Sequence, residues 1–156
     1  MPQLTVDRTT WAALCLEGIE PLVRAHRVEL AMTSLPLEFD HELLCQLEGL
    51  GVLISIAAHL DGLLCGYAFW TISPSVETRG ILVASQGPMF VVPQARRTRA
   101  FLKLWRCSMD ELRVAGVRQV FAHAPVAGSE ALARFLGSQG REMFRVWEIE
   151  LPQGDE

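Results

Sequence analysis

Two alternating apolar runs that meet at Asp61-Gly62 constrain this chain more than any other feature. Val52 to Leu60 places Ile54, Ile56, Ala58 and Leu60 on one face, and Leu63 to Ile72 runs back from the turn. Asp-Gly supplies the pair of positive-φ residues that a tight connection requires, and a period of two is the mark of a half-buried strand. The segment predicts an antiparallel β-hairpin.

Elements of both kinds flank it. Trp11, Leu14, Cys15, Ile19, Leu22 and Val23 recur at helical spacing between Thr10 and Met32, with Thr9 or Thr10 placed to cap the start and Pro21 interrupting. This predicts one kinked helix or two short ones. Residues 34–39 are too broken for regular structure, and Asp40 caps a short helix carrying Leu43, Leu44 and Leu47 that Gly49 ends. A further strand is expected from Ile81 to Val92, with a bulge or splay at Gly87-Pro88. Phe101, Trp105, Met109 and Leu112 then form the stripe of a helix from about Gln94 to Ala115, closed by Gly116. Val117 to Ala122 reads as a strand, Ser129 caps a helix burying Leu132, Phe135 and Leu136, and Met143 to Leu151 alternate as a closing strand. The order predicts a mixed α/β or α+β fold in one domain spanning 1–156.

Composition narrows the function classes. With 156 residues, half of them apolar, and a net charge of −4, the chain can bury a core and is poorly suited to indiscriminate nucleic-acid binding. No apolar run has the length of a membrane span and residues 1–5 lack signal-peptide character, so a cytoplasmic protein with no membrane partner is expected. Cys15, Cys45, Cys65 and Cys107 stand far apart, which predicts packing thiols rather than a disulfide or metal site.

Against the acidic background, Arg96, Arg97, Arg99, Lys103 and Arg106 cluster where a strand passes through Pro93 into a helix. The first amides of a helix lack intrahelical partners and carry partial positive charge, so a phosphate arriving there meets donors already aimed at it. By spacing alone, a solvated helix face explains the same arginines equally well.

The element order, together with Asp61-Gly62, Gly66-Tyr67, Met89-Phe90-Val91-Val92-Pro93 and the closing segment 131–140, resembles the GNAT family of acetyl-CoA-dependent N-acyltransferases over almost the whole chain. A narrower resemblance is to bacteriophage-encoded GNAT-like proteins, carried by His26-Arg27-Val28-Glu29, Leu35-Pro36-Leu37, Asp40, Leu47-Glu48 and Asp61-Gly62. The resemblance implies a twisted, mostly antiparallel sheet flanked by helices, acetyl-CoA as cofactor, an amine acceptor (small molecule or protein), and room for a homodimer. It implies that Phe90, Val91 and Val92 hold pantetheine, and that Arg96, Arg97, Thr98, Arg99, Ala100 and Phe101 cradle the pyrophosphate. The family's turn reads Q/R-x-x-G-x-G/A. Starting it at Arg96 puts Arg99 and Phe101 at the glycine positions, and shifting by one residue puts Thr98 and Ala100 there; both frames stay open.

Acyl transfer to an amine needs a base, donors for the developing oxyanion, and an acid for the leaving thiolate. The family's acidic Tyr is matched by Leu136, and Tyr67, on a predicted strand, is the sole tyrosine. Ser85 and Gln86 stand where a Glu base is usual. The remaining catalytic candidates are His26 and Glu29, one helical turn apart, so that a carboxylate could orient an imidazole. His123, after the strand ending at Ala122, is a weaker candidate, and Cys107 lies too far inside a helix to act as a nucleophile. A second reading follows from the missing groups: a catalytically degenerate GNAT fold, phage-encoded, acting as a binding or assembly module for a host or virion protein.

Overall fold

The computed structural model describes residues 3–31, 36–124 and 130–142. The chain divides into two compact units, residues 1–122 and 123–156. The first unit is built on a five-stranded sheet in the order β1-β2-β3-β4-β5: β1 (Leu4–Thr9), β2 (Leu53–Leu60), β3 (Leu63–Pro74), β4 (Leu82–Val91) and β5 (Val117–Phe121). The first four strands pair antiparallel, and β5 runs parallel to β4. That parallel step needs a crossover, which α4 (Ala100–Val114) supplies.

The β2–β3 hairpin forms as expected, with Asp61 at φ 52° and Gly62 at φ 79°. Leu53 to Ala58 are all buried, so both faces of β2 are covered. On one face Ile54 and Ile56 share parity with their partners Trp70 and Ala68, and Trp70 meets Trp105 of α4 edge-on at 5.9 Å. On the other, Ala57, Tyr67 and Phe90 pack with Trp11, Leu14, Ile19 and Val23. Those four come from α1 (Trp11–Leu16), the connection after it, and α2 (Glu20–Glu29). The expected kink is thus a break into two helices, with Pro21 in the first turn of α2, where its missing N–H costs nothing.

Two caps fall where the side chains predict them. Thr10 accepts from Ala13 N–H at 3.2 Å, and Asp40 accepts from Leu43 N–H at 2.9 Å to open α3 (His41–Gly49). Glu48 of α3 ties three elements together, accepting from Trp11 N–H at 2.7 Å through one oxygen and from the buried Ser55 hydroxyl through the other.

Two elements differ from expectation. Residues 4–9, unassigned from sequence, form edge strand β1 in register with β2, from Leu4 opposite Leu60 to Thr9 opposite Ser55. The long helix starts at Ala100 rather than near Gln94, because Pro93–Thr98 wind as a tighter 3-10 turn that a left-handed Arg99 ends. At Gly87-Pro88 the register with β3 jumps from Ala68–Met89 to Trp70–Gln86, which is the expected bulge.

In the second unit, α5 (Glu130–Gln139) forms at the expected helix. The cap expected at Ser129 and the closing strand from Met143, with Trp147, lie outside the described residues. No helix among the described residues is long and apolar enough to cross a membrane.

Candidate cofactor and proton-transfer site

β4 is paired with β5 over its first half only. The parallel register runs from Leu82–Val117 to Ser85–Phe121, whereas β4 continues to Val91. From Gln86 to Val91, no strand ladder lies along its outer edge among the described residues. On the inner side Val92 N–H donates to the Cys65 carbonyl at 2.9 Å, so strand alternation turns the peptide groups of Met89 and Val91 outward. Gly66 makes this close approach feasible. A Cβ there would lie 2.8 Å from the Phe90 carbonyl oxygen and 3.1 Å from Val91 Cγ2.

The turn that follows is held internally: Thr98 Oγ1 donates to the Ala95 carbonyl at 2.7 Å. Arg99 sits at φ 64°, where a residue with a Cβ incurs roughly 1–2 kcal/mol, and serves as the N-cap of α4 without a side-chain cap bond. Its carbonyl takes the Lys103 N–H at 3.1 Å. The amides of Ala100, Phe101 and Leu102 belong to the first turn, at the positive end of the helix dipole. Ala100 is buried, Phe101 and Thr98 are half-buried, and Arg97 is exposed.

Arg96 closes the turn back onto the strand. Its Nε–H donates to the outward carbonyl of Val91 at 2.9 Å, its Nη2 meets Glu29 Oε2 at 2.5 Å, and its guanidinium carbon lies 5.6 Å from the centroid of Phe90. The ion pair with Glu29 is nearly half exposed on both sides, so it contributes little to stability on its own.

His26 stacks on Phe90 with centroids 4.9 Å apart and planes at 21°, and its Nδ1 lies 2.9 Å from the Tyr67 hydroxyl. Tyr67 is fully buried, and that burial pushes its phenol well above the ordinary value, so it stays protonated. With the ring proton on Nε2, Nδ1 accepts from the phenol; the His26 tautomer sets the direction of this contact. Sequence spacing assigned the orienting role to Glu29; the structure seats Tyr67 at Nδ1 and turns Glu29 to Arg96. Helical spacing around His26 does not point to Tyr67; strand parity does, because it puts Tyr67 on the face of Phe69 and Phe90, under the helix that carries Val23 and His26.

Cys107, half-buried on α4, has its thiol pushed up by partial desolvation, with Glu111, Asp7 and Asp110 adding to the effect. His123 belongs to the second unit.

No protein-family model matches the sequence, and no curated protein matches it. Solved structures do. An aminoglycoside acetyltransferase from an uncultured soil metagenomic sample, in complex with trehalose, superposes with a TM-score of 0.74 at 15% identity, over 96% of each chain. A ribosomal-protein-alanine N-acetyltransferase from Brucella melitensis biovar Abortus 2308 gives 0.72 at 14%, over 96% of this chain and 99% of that one. The aminoglycoside N-acetyltransferase AAC(6')-Iy in complex with CoA gives 0.64 at 18%, over 96% and 100%. This chain has the GNAT fold. Within a GNAT turn that begins at Arg96, the left-handed residue falls at Arg99, the position that carries glycine in the family's pattern.

Proposed function

We propose that this chain is an acetyl-CoA-dependent N-acetyltransferase that transfers the acetyl group directly to an amine. One observation carries the reading: the outer edge of β4 from Gln86 to Val91 has no ladder partner among the described residues, and it leads straight into a basic turn and the first amides of α4. The fold's solved relatives include an acetyltransferase in complex with CoA, which supports the same ligand here.

In this reading the outward peptide groups of Met89 and Val91, with Phe90 and Val92 alongside, line the pantetheine arm. Arg96, Arg97, Thr98, Arg99, Ala100 and Phe101 receive the pyrophosphate through main-chain N–H groups and guanidinium charge. Acetyl-CoA supplies the activated acyl group. The amine nitrogen attacks the thioester carbonyl, the carbon–sulfur bond breaks, the amine loses a proton, and the thiolate takes one up. His26 is the proton carrier, held by Tyr67 and Phe90, and Glu29 acts through Arg96 as a positioning residue. The relatives named for aminoglycosides suggest a small amine acceptor.

A second reading is favoured by one observation. Arg96 already engages the Val91 carbonyl and Glu29, as it would in a phage-type GNAT module that binds a host or virion protein and no longer needs the coenzyme. Thermal-shift measurement with acetyl-CoA, followed by release of free CoA thiol on adding amines, separates the two. Stabilisation together with thiol release supports the enzyme; no stabilisation at millimolar acetyl-CoA leaves the binding module.

A further inference from the structure

Arg96 lies across the edge that the coenzyme reading assigns to the pantetheine arm. Its Nε–H donates to the outward Val91 carbonyl at 2.9 Å, its Nη2 meets Glu29 Oε2 at 2.5 Å, and its guanidinium carbon stands 5.6 Å from the centroid of Phe90. Val91 is the last residue of β4 and Glu29 the last of α2, so one side chain pins two element ends to the basic turn. The pin is easily exchanged. Both partners of the ion pair are nearly half exposed, and solvent screening keeps the cost of breaking such a pair small.

This position makes Arg96 a competitor of the arm. A ligand running beside β4 pairs with the outward peptide groups of Met89 and Val91, and the Val91 acceptor is engaged by Nε–H. The carbonyl keeps a second lone pair, but the guanidinium lies beside it. A diphosphate at the turn offers Arg96 a stronger partner than one half-exposed carboxylate, because it carries more charge and accepts the guanidinium fork bidentately. Transfer of the side chain from Glu29 to the diphosphate clears the edge. Glu29 therefore opposes coenzyme binding, although it belongs to the same cluster as the residues that receive the coenzyme.

We propose that Arg96 and Glu29 form a latch over the end of β4: Glu29 holds Arg96 on the Val91 carbonyl, and the diphosphate draws Arg96 off, so that seating the nucleotide end of the coenzyme opens the edge for its arm. The inference rests on the coenzyme reading above and adds a device that regulates access to the same site.

Calorimetric titration of the full chain with CoA, in the parent and in Glu29→Gln, tests it. Glu29→Gln should bind CoA about two- to fivefold tighter, the size of an exposed ion pair that no longer has to be broken. Glu20→Gln removes an equal charge from the other end of α2, where Glu20 pairs with Arg24 at 2.6 Å, and should leave the affinity unchanged. In NMR spectra of the parent, the Arg96 Nε–H signal should shift as CoA is added, because that proton leaves Val91 for a phosphate oxygen. Unchanged or weaker CoA binding by Glu29→Gln overturns the latch and leaves the coenzyme reading intact. Equal tightening by Glu29→Gln and Glu20→Gln overturns it too, since net charge alone would then be acting. An Arg96 signal that stays in place at saturating CoA contradicts it as well. Binding of CoA by neither the parent nor Glu29→Gln overturns both readings.

Discussion

The Nε–H of Arg96 donates to the main-chain carbonyl of Val91 at 2.9 Å, joining the start of the basic turn to the end of the strand that precedes it. A peptide group on an otherwise unladdered edge is thereby engaged by a side chain that Glu29 and the Phe90 ring also hold. The end of β4, the turn and α2 form one cluster around these contacts, and the proposed coenzyme seat lies against it.

Charge reversal of the turn follows directly from this arrangement. Arg96→Glu combined with Arg97→Glu should weaken CoA by well over tenfold, because two cations become anions beside a diphosphate. Stability should change by less than about 1 kcal/mol, since the Arg96–Glu29 pair is nearly half exposed. Titration calorimetry and chemical denaturation on the same variant report the two effects separately, and an unchanged affinity would place the cradle elsewhere.

Gly66 is the second test. With the Phe90 carbonyl oxygen 2.8 Å from where a Cβ would sit, Gly66→Ala must push β4 away from β3, at an expected loss of about 1–3 kcal/mol. The same displacement moves the outward groups of Met89 and Val91, so CoA affinity should fall with stability. A variant as stable as the parent would show that the strands do not approach this closely.

Tyr67 links pH to stability. Removing its hydroxyl in Tyr67→Phe deletes the contact with His26 Nδ1 and should cost about 1 kcal/mol at neutral pH. The phenol's folded-state value lies above its unfolded one, so its contribution is whole below about pH 10 and declines as pH rises past that point, by up to about 1.4 kcal/mol per unit. Denaturation curves between neutral and strongly alkaline pH should show a steeper alkaline decline in the parent than in Tyr67→Phe. Parallel declines would contradict the buried, protonated phenol.

For catalysis, His26→Ala should lower kcat by about 100-fold or more with an amine that supports turnover. Tyr67→Phe should shift the pH–rate profile while retaining more activity, as expected of a group that acts through His26. Identical profiles in the parent and Tyr67→Phe would remove Tyr67 from the proton path.

Local chemistry made much of this fold legible in the sequence. Asp61-Gly62 could hardly be anything but a hairpin turn, Asp40 had a helix to cap, and Gly87-Pro88 marked a bulge, because each residue type answers a backbone demand met within a few positions. Edge strand β1 escaped because Asp7 and Arg8 blunt its alternation, and its register with β2 comes from across the sheet. The arginine turn could be located, but not the left-handed φ at Arg99, since nothing local favours that conformation in a residue with a long side chain. The partners of His26 and Glu29 were equally hidden. Helical spacing offered each to the other, while Tyr67 and Arg96 lie 41 and 67 positions away in the chain and meet them only once β3 and β4 are paired.

The central claim is that coenzyme A lies against the outer edge of β4 and the first amides of α4, and backbone amide NMR during a CoA titration tests it most directly. The account predicts the largest shifts and the greatest gain in exchange protection at Met89, Val91, Ala100, Phe101 and Leu102. Saturable binding that leaves those amides unmoved and perturbs another face of the sheet would contradict it.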